Sequence, residues 1–329
     1  MSLDVLAIGD TTIDAFIRLK DASVHCDVNR ENCMLCMRFA DKIPYDFVEE
    51  IPAVGNAANA AVACARLGLS AATRVHVGED ENGKKCIESL KKDGVDTSLI
   101  VSEQGNKTNY HYVLWYEDER TILIKHEHYN YSFPKLKEAP KWIYLSSVAE
   151  GALPYHKEIA GYVALNPEVK LAFQPGTFQI KLGVEALKDL YAHTEILFCN
   201  KEESQRILQT KEENIKALMQ KIRELGPKIS VITDGRNGAY LQSGEGSWYA
   251  PMYPDPAPPK ERTGAGDATS STTVAYVIKG LPPQEALLRG LINSANVVQE
   301  IGAQKGLLNT VQIDEWYAKR PSDFKATPI

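Results

Sequence analysis

The chain has 329 residues, 44% hydrophobic and 24% charged, with a formal net charge of -6. That composition fits a globular protein with a large core, long enough for one large α/β domain with an excursion or for two smaller units. No basic stretch could track a phosphate backbone, and no apolar run reaches the roughly 18 residues of a membrane span, so neither nucleic acid nor a membrane is expected as partner. Residues 1–10 read as a buried strand rather than a secretory leader. With the six cysteines Cys26, Cys33, Cys36, Cys64, Cys86 and Cys199, this predicts a reducing cytoplasm and free thiols.

In chain order, residues 3–8 form a short apolar run that ends in Gly9-Asp10, a buried strand feeding a turn. Residues 16–50 are long and mixed, with no clear period. Residues 57–67 carry small and apolar side chains at helical spacing and stop at Gly68. A strand is predicted over 72–77 and an amphipathic helix over 82–93, ended by Gly94. Residues 109–131 alternate: Tyr110, Tyr112 and Leu114, then acidic Glu117-Asp118-Glu119, then Ile122 and Ile124, which is a hairpin. Strands follow at 142–145, 169–173, 196–199 and 229–233, with helices at 184–191 and 214–225 among them. The last third holds two long helical patterns, 268–279 and 283–301, split by Gly280-Leu281-Pro282. The Pro-rich stretch 253–259 reads as a rigid surface loop. Strand and helix in alternation predict a mostly parallel sheet covered on both faces, with the hairpin as a small β lid.

Five clusters carry chemistry. Thr263-Gly264-Ala265-Gly266-Asp267 opens a helix, where glycines admit close approach and free amides attract phosphate. Asp267 there suits the base that accepts the proton of an attacking hydroxyl. On spacing alone, an Asp cap after a glycine turn explains the run equally well. Thr233, Gly235 and Gly238 follow a strand in a turn that suits phosphates, though many strands end in glycine turns. Asn200 and Glu203 have the spacing for orienting a hydrated Mg²⁺, or simply for starting a helix. Thr12 and Asp14, after the first strand, and Gly55, Asn56 and Asn59, at a helix start, offer partners for vicinal hydroxyls, with a solvated loop and a helix cap as the plain alternatives.

Together these residues resemble the PfkB, or ribokinase-like, carbohydrate kinases, from residue 8 to about 308. The resemblance rests on residues 263–267, on Gly55-Asn56-Ala57-Ala58-Asn59 with Gly68, and on Gly78-Glu79-Asp80-Glu81-Asn82-Gly83. It implies an α/β, ribokinase-like three-layer sandwich with a mostly parallel central sheet. One kinase domain spans 1–329, with a lid from about 15–52 and 107–131. It implies transfer of the γ-phosphate of ATP to a primary hydroxyl of a small carbohydrate. Asp267 is then the base, and the amides of Gly264, Ala265 and Gly266 form the anion hole. Asn200 and Glu203 lie by Mg²⁺ through water, and Thr233, Gly235, Gly238, Gly264, Gly266 and Asn293 hold the nucleotide. Thr12, Asp14, Gly55, Asn56 and Asn59 hold the sugar. A nucleoside kinase of the same fold is the alternative, and a non-catalytic sugar or nucleotide sensor a second.

The chain departs from the family pattern in three places. Val54-Gly55 replaces the usual pair of glycines. Glu261 stands where many members have an Asp in a monovalent-cation loop, so K⁺ is expected through Glu261, Thr263 and Gly302. Leu145-Ser146-Ser147 lacks the Glu that ribokinases place on the sugar, which argues against ribose. Cys33-Met34-Leu35-Cys36 has zinc-like spacing but no second Cys pair, so free thiols in a lid insertion are expected instead. The Tyr-rich hairpin is read as a homodimer interface through the lid, with substrate cover as its alternative.

Overall fold

The computed structural model describes residues 3–27, 33–117 and 119–329. Part of the early insertion, 28–32, and Asp118 of the expected hairpin lie outside the described residues. In chain order the strands are β1 (Val5–Ile8), β2 (Thr12–Leu19), β3 (Ser23–His25), β4 (Met34–Cys36), β5 (Tyr45–Val54), β6 (Ala71–Arg74), β7 (His76–Gly78), β8 (Val101–Glu103), β9 (Tyr110–Tyr116), β10 (Glu119–Leu123), β11 (Trp142–Leu145), β12 (Lys170–Phe173), β13 (Thr194–Asn200), β14 (Ile229–Thr233), β15 (Ala239–Ser243), β16 (Gly246–Ala250) and β17 (Thr327–Pro328). The α-helices are α1 (Asn56–Arg66), α2 (Glu81–Lys92), α3 (Leu153–Leu165), α4 (Thr177–Leu182), α5 (Lys188–Ala192), α6 (Lys201–Ile207), α7 (Ile215–Glu224), α8 (Ala265–Ile278), α9 (Pro283–Val297) and α10 (Thr310–Ala318).

The main sheet runs β17-β16-β15-β14-β13-β12-β11-β1-β6. From β6 to β14 every pairing is parallel; β15 to β17 are antiparallel additions at one edge. β1 shows why the layers form. Its side chains alternate, so Val5 and Ala7 join a core with α1, α8 and α9, while Leu6 and Ile8 join a second core with α3, α5 and α7. A four-residue strand with no exposed face must be covered twice, and that makes a three-layer α/β sandwich.

Two helices on the first face approach unusually closely. α1 is alanine-rich and almost wholly buried, which lets it lie flat on β1 and against α8. α8 is a buried helix built from Thr and Ser. Thr269, Ser270 and Thr273 donate their hydroxyls to carbonyls four residues back, at 3.0, 2.8 and 2.7 Å, so these buried hydroxyls are satisfied within the helix. A Cβ on Gly290 of α9 would stand 2.4 Å from the Thr269 carbonyl, which sets how near α9 can come.

A second sheet, β10-β9-β2-β5, stands over the carboxyl ends of the parallel strands as the lid. The β9–β10 hairpin pairs Tyr116 with Glu119. β9 lies parallel to β2, and β2 antiparallel to β5. The early insertion contributes the exposed ribbon β3–β4. There Cys26 and Cys33 form a disulfide, so the expectation of free thiols is corrected for that pair; Cys36, Cys64, Cys86 and Cys199 are free. Cys33 is engaged in that disulfide, so Cys33 and Cys36 do not stand as a pair of free thiols. No described helix is long and apolar enough to cross a membrane.

The predicted strand 72–77 divides at Val75: the chain leaves the main sheet at Arg74 and enters the β7–β8 pair. The helix predicted to reach residue 301 ends at Val297, where the chain turns and the Val298 carbonyl accepts from Lys260 N–H at 2.9 Å.

The stretch from Gly78 to Gly83 links α2 to the chain entering the lid. The Asp80 carboxylate accepts from Gly83 N–H at 2.8 Å, Thr108 N–H at 3.0 Å and Thr108 Oγ1–H at 2.6 Å. Partial burial works against the charged form of Asp80, but the Thr108 and Gly83 donors outweigh it and hold the carboxyl below its usual range. Its stabilising contribution is therefore present at neutral pH and lost as pH falls through the depressed value. Asp80→Ala is expected to cost about 1–3 kcal/mol at neutral pH by urea unfolding, with the deficit shrinking in acid.

Candidate active site

The candidate residues gather where the sheet directs them. Asp10 follows β1, Ser147 follows β11, Gln174 follows β12, Asn200 ends β13 and Thr233 ends β14. All lie at the carboxyl end of the parallel strands, where open α/β sheets leave a crevice, and α8 points its N-terminus into it.

Asp267 sits in the first turn of α8. The N-cap of that helix is Gly264, with φ 80°, and Asp267 makes no cap hydrogen bond. The plain reading of Asp267 as a cap therefore does not hold. Its carboxylate is held by three side-chain amides, two from α1 and one from the end of β12. Asn56 Nδ2 donates to Oδ1 at 2.7 Å, Gln174 Nε2 to Oδ1 at 2.9 Å, and Asn59 Nδ2 to Oδ2 at 2.7 Å. Asn56 likewise is not a cap: Gly55 holds that position, and Asn56 is spent on Asp267.

The amides behind Asp267 are free. The first helical hydrogen bond of α8 runs from Ala268 N–H to the Gly264 carbonyl at 2.8 Å, so the N–H groups of Ala265, Gly266 and Asp267 have no partner within the helix. Gly264 must be glycine twice over. Its φ is positive, and a Cβ there would stand 2.5 Å from Ala303 Cβ. The arrangement is an anion site with a carboxylate beside it.

A cavity of about 370 Å³ opens on one side of Asp267. It is lined by Thr12, Asp14, Gly55, Asn56 and Asn59, as the sequence suggested, and also by Asp10, His111, His126, Ser147 and Phe178. His111 Nδ1 lies 3.4 Å from Asp14, and His126 Nδ1 lies 3.5 Å from Asp10. Tyr131 donates to Asp10 at 2.7 Å. Asp10 Oδ2, Asp14 Oδ1, His111 Nε2 and the Thr263 hydroxyl are buried without a hydrogen-bond partner among the described residues. Such atoms call for a ligand rich in hydroxyls. Ile122 and Ile124 cover the cavity from the lid.

On the other side of Ala265 and Gly266 lies a second cavity of about 180 Å³. It is lined by Thr233, Gly235 and Gly238, again as expected, with Arg262, Ser294 and Ala295 added. Gly238 has φ 90°, and a Cβ there would meet the Ala250 carbonyl at 2.3 Å, so this turn also requires glycine. Arg262 has no hydrogen-bond or ion-pair partner among the described residues, which suits it to an anion. Asn293 is not at this cavity. It is fully buried, donates to Thr272 Oγ1 at 2.8 Å and accepts from Leu308 N–H at 2.9 Å. Its role is to join α8, α9 and the 308 turn.

Asn200 and Glu203 form a reciprocal cap on α6. Asn200 Oδ1 accepts from Glu203 N–H at 2.7 Å, and Glu203 Oε2 from Asn200 N–H at 2.8 Å. Glu203 Oε1 has no partner among the described residues, and burial pushes the carboxyl above its usual range, with Asp267 adding to the push. A carboxylate so placed fits a hydrated divalent cation arriving with phosphates. The K⁺ expectation fares differently. Glu261, Thr263 and Gly302 do meet, but Glu261 accepts from Thr263 N–H at 2.6 Å and Gly302 N–H at 2.9 Å, and Arg120 Nε stands 3.9 Å away. A carboxylate with two donors and a guanidinium already beside it does not fit a bare monovalent cation.

With this geometry in hand, similarity to known proteins becomes informative. Residues 50–310 match the sequence profile described as pfkB family carbohydrate kinase. The chain belongs to that family. It is a phosphotransferase with an alcohol group as acceptor. Fructoselysine 6-kinase of Escherichia coli is 26% identical over 250 residues, covering 76% of this chain and 90% of that one. Among solved structures, Arabidopsis thaliana ribokinase, complexed with ribose and ATP, superposes with a TM-score of 0.78 at 18% identity, over 96% of this chain and 98% of that one. Methanocaldococcus jannaschii nucleoside kinase does so with a TM-score of 0.76, also at 18% identity and over the same shares. At these identities the structures establish the ribokinase fold alone.

Sequence reasoning missed Gln174, Asp10, His111 and His126. Each is a single polar residue beside a strand or in the lid, with no local signature. Asp10 lies within the quoted run 9–14 and could have been taken up.

Burial pushes the Asp267 carboxyl above its ordinary 3.8, while the amides of Asn59, Gln174 and Asn56 pull it back down. The reading of Asp267 as a base predicts activity that falls as pH drops through that raised value, because a base works only when deprotonated. Asn56→Ala removes one donor to the anion. The acid limb of its kcat/KM profile is expected at higher pH than in the wild type, measured by coupled ADP release across the acid range.

Proposed function

We propose that the chain is an ATP-dependent sugar kinase that transfers the γ-phosphate to a primary hydroxyl, with Asp267 as general base. The observation that carries this reading is the single carboxylate between two cavities, with a free-amide helix start at its back. The acceptor hydroxyl lies in the larger cavity. Asp267 Oδ1 already accepts two hydrogen bonds and Oδ2 one, so Oδ2 keeps the open lone pair and takes the proton. The amides of Ala265 and Gly266 face the transferring group, and Arg262 and the Thr233–Gly238 turn face the nucleotide. Mg²⁺, held through water by Asn200 and Glu203, would supply charge neutralisation on the phosphoryl oxygens. The lid isoleucines exclude water, which limits hydrolysis of ATP.

Asp267→Asn is expected to cut turnover by about 10²–10⁴-fold with ATP affinity nearly unchanged. Near-normal turnover in that variant would remove Asp267 as the base. The acceptor is approached with a panel of ribose, fructose, 2-keto-3-deoxy acids, adenosine and cytidine. Thirteen polar or ionisable side chains line the cavity, against Phe178 as the one Phe, Tyr or Trp among the lining residues, which favours a sugar. A nucleoside would have Phe178 as a wall for its base, so preference for adenosine or cytidine is the second reading. ADP release with any acceptor excludes a non-catalytic sensor.

We treat residues 1–329 as one kinase unit, and we place it in the cytoplasm, where ATP is spent. The lid leaves Tyr45, Val48, Tyr112 and Leu123 about half exposed. That apolar sheet surface supports a homodimer clasped lid to lid. Light scattering should return twice the chain mass, and Leu123→Lys should return the monomer.

A further inference from the structure

Glu261 is only 2% exposed, yet it lies in the loop that leads into the anion hole. A carboxylate buried there needs its charge compensated. Two backbone donors reach it: Thr263 N–H to Oε2 and Gly302 N–H to Oε1. The positive charge comes from the lid, where Arg120 Nε lies 3.9 Å from Oε2. That Nε is buried and has no hydrogen-bond partner among the described residues, so the carboxylate is what it faces.

Arg120 belongs to the substrate-facing side of the lid. It lies on β10 two residues before Ile122, which lines the acceptor cavity, so period two puts both on one face. A second lid contact meets the same loop: a Cβ on Gly302 would stand 2.3 Å from Ile51 Cδ1 of β5. The next residue, Ala303, packs directly on Gly264. A continuous set of contacts thus joins Arg120 to Glu261, Glu261 to Thr263 and Gly302, and Ala303 to the N-cap of α8.

We propose that Arg120 is a built-in cation that occupies the electrostatic place of a monovalent metal ion beside Glu261. The loop before α8 is then formed without K⁺, and it depends on the lid instead. Arg120 is a positioning residue: it touches no reacting atom and acts through Glu261 on the amides of the anion hole. Only the effect on turnover rests on the kinase reading; the charge balance of the loop does not.

The test compares thermal melting of the wild type, Arg120→Ala and Arg120→Lys in K⁺, Na⁺ and choline chloride at matched ionic strength. The wild type and Arg120→Lys should melt at the same temperature in all three. Arg120→Ala should melt lower in choline and recover in K⁺, because the vacated charge can then be filled. In the kinetic arm, Arg120→Ala should lose about tenfold in turnover in choline and regain most of it in K⁺. Selective stabilisation of the wild type by K⁺ would overturn the proposal. So would an Arg120→Ala variant that melts like the wild type in every salt, or one that is weakened without rescue by K⁺. A protein inactive on every acceptor would still give the melting result, so the two readings fail separately.

Discussion

The structure depends on holding one desolvated carboxylate in place. Asp267 is pushed toward its neutral form by burial, and three side-chain amides from α1 and the end of β12 keep it anionic and aimed. Two of the three donors are themselves anchored. Asn59 Oδ1 accepts from Gln304 at 2.9 Å, and that same Gln304 nitrogen donates to the Ala53 carbonyl at 2.6 Å. Gln174 Oε1 accepts from the Tyr144 hydroxyl and from Ser270 at 3.2 Å. In the proposed reading of Asp267 as the base, a carboxylate supported this way needs no reorganisation to take a proton, and such preorganisation supplies most of the catalysis in phosphoryl transfer.

That requirement explains features of the fold that would otherwise look odd. α1 is alanine-rich, which lets Asn56 and Asn59 reach α8 across a short gap. α8 is a chain of Ser and Thr that satisfy their own hydroxyls, because bulkier apolar residues would hold α1 and α9 away. The glycines at 264 and 238 are fixed by contact with Ala303 and the Ala250 carbonyl, so both turns are set by packing as much as by φ.

What was legible in the sequence was whatever repeats or clusters. The layers followed from short strands alternating with helices, the lid from period two at 109–131, and the free-amide helix start from glycines opening a helix. Thr233, Gly235 and Gly238 stand out in the sequence for the same reason, and they line the second cavity. Gln174 and the lid histidines were not, because one polar residue after a strand says nothing until the sheet converges it with others. Asn293 was misplaced because helical spacing fixes a face only once the neighbours are known; Leu291, Ser294 and Ala295 line the nucleotide-side cavity instead. The Cys26–Cys33 pair escaped notice because six cysteines without a framework leave pairing open.

The junction between β5 and α1 carries one more consequence. The strand ends at Val54 and the helix begins at Asn56, so a single residue separates lid from base-holding helix. Ala53 and Gly55 on either side of Val54 both have positive φ, at 59° and 110°. The lid is therefore not hung on a slack tether but continuous with the lever that grips Asp267. Any tilt of the lid sheet would be carried through that joint to Asn56 and Asn59, so the set of the lid and the aim of the carboxylate share one mechanical coordinate.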